Sequence, residues 1–167
     1  QRRVRREIEA AREGRFARVA LKMNALEDRE FTRLLYEASR AGVQVDLIVR
    51  GICRLRPGIP GLSENVHVVS VIGRFLEHSR IYYFENSGEP EYFIGSADMM
   101  KRNLDGRIEV LAPVRSADLC AMLRETLDLL LVDERQAWRL HDSTWYRSPD
   151  AVGPGVHATL LARAPFS

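Results

Sequence analysis

The stretch from Phe16 to Val49 constrains this chain more than any other. Phe16–Met23 is a mostly apolar run broken by Arg18 and Lys22. Asp28 then precedes a stripe of Phe31, Leu34, Leu35, Ala38 and Ala41 that stops at Gly42. Val43–Val49 is a second apolar run. A helical period between two short runs of this kind reads as strand, helix, strand. Aspartate as N-cap and glycine after the last turn give the helix its start and stop. Two strands joined through one helix pair in parallel with a right-handed crossover. The frame is therefore α/β, and ligands of open α/β sheets gather beyond the carboxyl ends of such strands.

The rest of the chain fits around that frame. Val4, Ile8 and Ala11 predict an amphipathic helix over residues 2–13, stopped by Gly14. Arg56–Gly61 is rich in turn formers and predicts a loop; Val66–Ile72 predicts a strand. Ile81–Phe84 and Tyr92–Ile94 flank Glu85–Glu91 as a hairpin, with Tyr82 and Tyr83 in the core. Ile108–Leu111 predicts one more strand. Ser116 would cap a long helix with Leu119, Met122, Leu123, Thr126, Leu127 and Leu130 on one face. Past Asp133, Trp138, Leu140, Trp145 and Tyr146 suit short extended pieces, Pro149–Gly155 a loop, and Val156–Ala164 a last helix or frayed end. The sum is a single α/β domain around a mixed sheet, residues 1–147, with a C-terminal tail at 148–167.

Composition narrows the function. A chain of 167 residues, 46% hydrophobic, is long enough for one proper core. Its net charge of +2 does not imply nucleic acid. Of 25 basic residues only Lys22 and Lys101 are lysines, and arginine's planar fork suits bidentate binding of oxyanions. Cys53 and Cys120 stand apart with no CxxC, which predicts a reduced, cytoplasmic protein without a zinc site. No stretch approaches the roughly 18 apolar residues of a membrane span. The chain opens at Gln1, not Met, as a piece of a longer chain would.

The candidate chemistry lies in Gly73–Arg80. His78 is an imidazole able to exchange protons near neutral pH, and Arg80, two residues on, would share its face of an extended chain. Arg50, followed by Gly51, ends the second strand and either grips phosphate oxygens or pairs with Asp46 or Glu27. Gly95–Ser96 would offer a hydroxyl and a backbone N–H to an oxyanion. Asp98 either orients His78 or caps Met99–Leu104. Lys22 and Asn24 close the first strand and reach the same rim, or are ordinary strand-end residues. His67 reads as a packed strand residue, and His141 and His157 have no third group nearby in sequence. No Walker loop, GxGxxG or HExxH is present.

Ala20–Asn24, Leu47–Cys53, Leu55–Gly58, Gly61–Asn65, Gly73–Ile81 and Ser96–Asp105 together resemble the C-terminal catalytic domain of bacterial polyphosphate kinase. The likeness runs over residues 4–147. It implies a phospholipase D-like fold, a mixed β-sheet flanked by helices, one of two related domains sharing an active site. It implies reversible transfer of the terminal phosphate of ATP to inorganic polyphosphate, through a phosphohistidine and with magnesium. The family's arginine of the valine-arginine-glycine motif falls on Arg50, and its histidine of the leucine-glutamate-histidine-serine-arginine motif on His78. Both contact nucleotide phosphates in that family.

The histidine that is phosphorylated belongs to the preceding related domain, and the magnesium-binding arginines also lie outside this chain. Half of an active site is what the resemblance implies here, with His78 catalytic and Arg50 and His78 on ATP phosphates; the chemistry of the residues themselves adds Arg80 and Ser96 to the groups expected to bind ATP or phosphate. Implied partners are polyphosphate, ATP or ADP, the remainder of the full-length kinase and a further copy in a homo-oligomer, in a cytoplasmic protein with or without membrane association. Two alternatives stay open. One is a phospholipase D-type phosphodiesterase completed by dimerisation, although Arg80 stands where its His-x-Lys pair has lysine. The other is a non-catalytic polyphosphate-binding module.

Overall fold

Eight strands form one mixed sheet in the order β6-β5-β4-β1-β2-β3-β7-β8. The computed structural model describes residues 1–163, the side chains of Leu104 and Asp105 aside. At the centre, β1 (Arg18–Met23), β2 (Gln44–Val49) and β3 (Val66–Val71) run parallel. Helix α2 (Arg29–Arg40) makes the crossover from β1 to β2. Asp28 caps it by accepting from the Phe31 N–H at 2.7 Å. Gly42, at φ +94°, releases the chain towards β2.

On one side β4 (Arg80–Phe84) runs antiparallel to β1, followed by β5 (Glu91–Gly95) and β6 (Leu111–Val114). On the other, β7 (Ala137–His141) pairs with β3, and β8 (Thr144–Tyr146) with β7. Helix α3 (Lys101–Gly106) lies between β5 and β6.

Side-chain alternation splits the core in two. Val19, Leu21, Val45, Leu47, Tyr82 and Phe84 face α1 (Arg2–Arg12) and α2. Ala20, Ile48, Val69, Ile81 and Tyr83 face α4 (Ala117–Val132) and α5 (Val156–Arg163), meeting Leu127, Leu130 and Val156. Both faces are covered, so β1 is buried at every position. That is why its sequence is nearly continuous in apolar residues rather than alternating.

Three expectations change. The strand expected at Ile108–Leu111 lies at Leu111–Val114, and Ile108 is fully exposed. Pro113, which a central strand rejects, is tolerated because β6 is an edge. The buried stripe of α4 runs through Cys120, Leu123, Leu127 and Leu130, while Leu119 and Met122 are about half exposed. His67 is not packed: its ring is exposed, and Nδ1 lies 3.2 Å from Asp46 Oδ1. Within the expected tail, α5 buries Val156 and His157. Its last expected residue, Ala164, and those beyond it lie outside the described residues.

Candidate active site

The carboxyl ends of β1 and β2, the start of β4 and the end of β5 all reach one edge of the sheet. The loops leaving it are pinned together. Leu26 bridges both Cys53 and Met99, the Gly51 N–H donates to Asn24 O at 2.9 Å, and the Asn24 N–H donates to Asp98 Oδ1 at 2.7 Å. Lys22, Arg50, His78, Arg80 and Asp98 therefore share this edge. Since β1 alone separates β4 from β2, the backbones of Arg80 and Arg50 lie about 10 Å apart. That span is within reach of two guanidinium side chains.

His78 is exposed, in the irregular segment between β3 and β4. Arg80 Nη1 donates to the His78 carbonyl at 2.8 Å and lies 3.1 Å from ring Nδ1. The opposite edge of the same guanidinium meets Asp98, Nε to Oδ1 at 3.3 Å and Nη2 to Oδ2 at 3.0 Å. Burial opposes the Asp98 carboxylate, but bonds from Arg80 and Asn24 outweigh it and hold the carboxyl below its usual range. Asp98 thus neither caps the next helix, whose N-cap is Met100, nor touches His78. It fixes Arg80, and Arg80 fixes His78. Every nitrogen of the Arg80 guanidinium has a partner inside the protein, so Arg80 orients the imidazole instead of standing free for phosphate.

Arg50 has the opposite character. Its Nη1 is buried and has no hydrogen-bond partner, and no ion pair involves it among the described residues. The alternative partner Asp46 is taken by Arg18 at 2.7 Å and by His67. A buried guanidinium nitrogen without an acceptor is costly, and an anion at this edge would satisfy it.

Lys22 is almost wholly buried, at 1% exposure. Its Nζ donates to Ser79 O and Ser79 Oγ, each at 3.0 Å, and pairs with Glu77 Oε2 at 3.0 Å. Three donors meet three acceptors. Burial lowers the lysine's proton affinity, Glu77 resists, and the charges of Arg50 and Arg80 lower it further. The charges of Arg50 and Arg80 thus reach the Lys22 ammonium.

Ser96 does not join this group. Its hydroxyl donates to the Glu109 carboxylate and accepts from the Val110 N–H at 3.1 Å, and its own N–H donates to Val110 O at 3.1 Å. The hydroxyl and N–H expected to face an oxyanion instead stitch β5 to β6. Sequence reading also missed Glu77 and His157, which meet at 2.7 Å. Lys22, one of only two lysines, carried a visible signal; His157 carried none.

A family model described as polyphosphate kinase C-terminal domain 2 matches residues 1–156. The chain belongs to that family. The polyphosphate kinase of Thermosynechococcus vestitus is 52% identical over 162 residues, which is 95% of this chain and 22% of that protein. The crystal structure of polyphosphate kinase from Porphyromonas gingivalis matches with a TM-score of 0.90 at 39% identity, over 97% of this chain and 25% of that one. Nuc from Salmonella typhimurium, a phospholipase D family member, matches with a TM-score of 0.55 at 13% identity, over 85% of this chain and 89% of that one. That likeness is one of fold, and the domain is phospholipase D-like. This polyphosphate kinase domain spans about a quarter of the length of the kinases it matches.

Proposed function

We propose that this domain forms one wall of the active site with which a polyphosphate kinase transfers the terminal phosphate of ATP to inorganic polyphosphate, and back. The buried, unpartnered Nη1 of Arg50 at the same end of the sheet as an exposed His78 carries this reading. Arg50 donates to phosphate oxygens, and the imidazole held by Arg80 gives or takes a proton at the reacting phosphate. Lys22 and Arg80, each paired with a carboxylate, hold the Glu77–Arg80 segment in place without contacting substrate. Positioning and charge neutralisation are most of what phosphoryl transfer asks of a protein. The phosphohistidine resides on the preceding domain.

The surroundings favour a site completed by other polypeptide. Ile52, Ile72 and Leu76 are each more than half exposed at this edge, and Ile108 and Val110 are exposed farther along it, just before β6. An apolar rim around a cationic centre suits a docked domain better than open water. The edge does not fit magnesium, because Glu77 and Asp98 are already engaged by cations. Among the described residues no group of three or more His, Cys, Asp or Glu could hold a metal ion. No described helix is long and apolar enough to cross a membrane. Two free thiols support a reducing, cytoplasmic setting.

The test compares full-length kinase, its Arg50→Ala and His78→Ala variants, and residues 1–167 alone. Either substitution is expected to lower ATP-dependent polyphosphate synthesis by about 100-fold, and the isolated chain to make none. Vigorous synthesis by the isolated chain would sink the one-wall reading.

A further inference from the structure

Residues 73–79 carry His78 yet contain no helix or strand, so something other than backbone pairing must fix them. One anchor is Lys22 beneath Ser79. The other comes from the far end of the chain. His157, only 3% exposed in the first turn of α5, points its ring into this segment. Nδ1 accepts from the Phe75 N–H at 3.2 Å and lies 3.3 Å from Gln136 Nε2. With Nδ1 as acceptor, the ring proton sits on Nε2, which donates to Glu77 Oε1 at 2.7 Å. The ring also lies against Phe75, centroids 5.4 Å apart.

The base of α5 is itself held. The Val156 N–H donates to Asp133 Oδ2 at 2.9 Å, and the His157 N–H to Gln136 Oε1 at 3.0 Å. The Glu77 carboxylate is thus shared, one oxygen on His157 and the other on Lys22. An apolar residue at 157 would fill the space as well. A side chain that donates at the Nε2 position adds the second anchor that, with Lys22 on the other oxygen, sets the rotation of Glu77, the residue bonded directly to His78.

We propose that His157 is a positioning residue for His78, acting through Glu77, and that the C-terminal segment latches the loop bearing the catalytic imidazole. This rests on reading His78 as the proton carrier. Its consequence is specific to chemistry rather than to folding. Loss of the Nε2 donor lets the Glu77–His78 segment shift, and misplacement of about 1 Å can cost about 100-fold in rate.

The test uses full-length polyphosphate kinase with His157→Ala, His157→Asn and His157→Gln, measuring kcat, KM for ATP and melting temperature. Asn keeps an acceptor near the Nδ1 position for Phe75, whereas Gln reaches the Nε2 position and can donate to Glu77. The Ala and Asn variants are expected to lose at least about tenfold in kcat with KM within about twofold, and Gln to recover most of the loss. If Ala fails to fold, the Asn–Gln contrast decides alone. Equal rates for Asn and Gln, or a wild-type kcat for either Ala or Asn, would overturn the proposal. His78→Ala serves as the control. Were that variant as active as wild type, the functional reading itself would fall; inactive His78→Ala beside unimpaired His157→Asn would remove the latch alone.

Discussion

Asp98 Oδ2 and Arg80 Nη2 lie 3.0 Å apart, and this pair holds the guanidinium that touches His78. Both side chains are nearly buried, Asp98 at 10% and Arg80 at 12% exposure. Because the Asp98 carboxyl is held below its ordinary range, its stabilisation is complete above the unfolded carboxylate range. It disappears as pH falls through the lower folded value. Asp98→Ala is expected to cost about 3 kcal/mol at neutral pH by leaving Arg80 buried and unpaired. Urea melts from neutral to strongly acidic pH should show that difference shrinking in acid; a constant difference would refute the pairing as its source.

Arg50 should behave as a residue kept for ligand rather than for the fold. Arg50→Ala removes a buried donor that lacks an acceptor, so unfolding free energy should hold steady or rise. Affinity of the full-length kinase for ADP or polyphosphate should drop by roughly 10- to 100-fold. Arg50→Lys should restore only part, since an ammonium cannot offer the planar fork. Calorimetric titration against each variant measures this, and unaltered affinity in Arg50→Ala would exclude the site.

What could be read from the sequence was local. The Asp28 cap, the Gly42 exit and the two apolar runs each act within a few residues, and they yield α2 between parallel β1 and β2. His78 and Arg80 are two residues apart and do meet. Long-range pairing was illegible. Glu77 and His157 stand 80 residues apart, and nothing local to either marks the other. Asp98 reads as a helix cap in one dimension because carboxylates before helices commonly are. It becomes the support of Arg80 only when β4 and β5 lie side by side. Ser96 likewise reads as a free hydroxyl until β6 brings Glu109 and Val110 beside it.

Glu7 carries the opposite pH signature from Asp98. It is wholly buried in α1; Oε1 accepts from the Asn86 N–H at 2.9 Å, while Oε2 has no partner. Burial raises its pKa, with the Asn86 bond and Arg6 opposing. A raised folded value means the stabilisation is full below the unfolded carboxylate range and is lost as pH rises through the folded value. Glu7→Gln, which keeps the acceptor for Asn86 without the charge, should therefore raise stability by about 1 kcal/mol at pH about 7 and by little at about pH 4. A gain of the same size at both pH values would contradict burial as the cause.

Gly73 is required by close approach rather than by backbone angle. A Cβ there would collide with the Gln136 amide nitrogen and come within 2.7 Å of His157 Nδ1. Gln136 also receives the His157 N–H, so it cannot withdraw without releasing the base of α5. Gly73→Ala is expected to destabilise the chain by about 2 kcal/mol, within the range for forcing extra volume against packed side chains. The displaced ring would draw Nε2 away from Glu77, so kcat of the full-length kinase should fall along with stability. Gln136→Ala gives back the missing space, so combining it with Gly73→Ala should recover part of the lost stability. It also removes the acceptor for the His157 N–H, so kcat should not recover with it. A double variant restored in both respects would show that space at Gly73, and not the anchoring of His157, limits the rate.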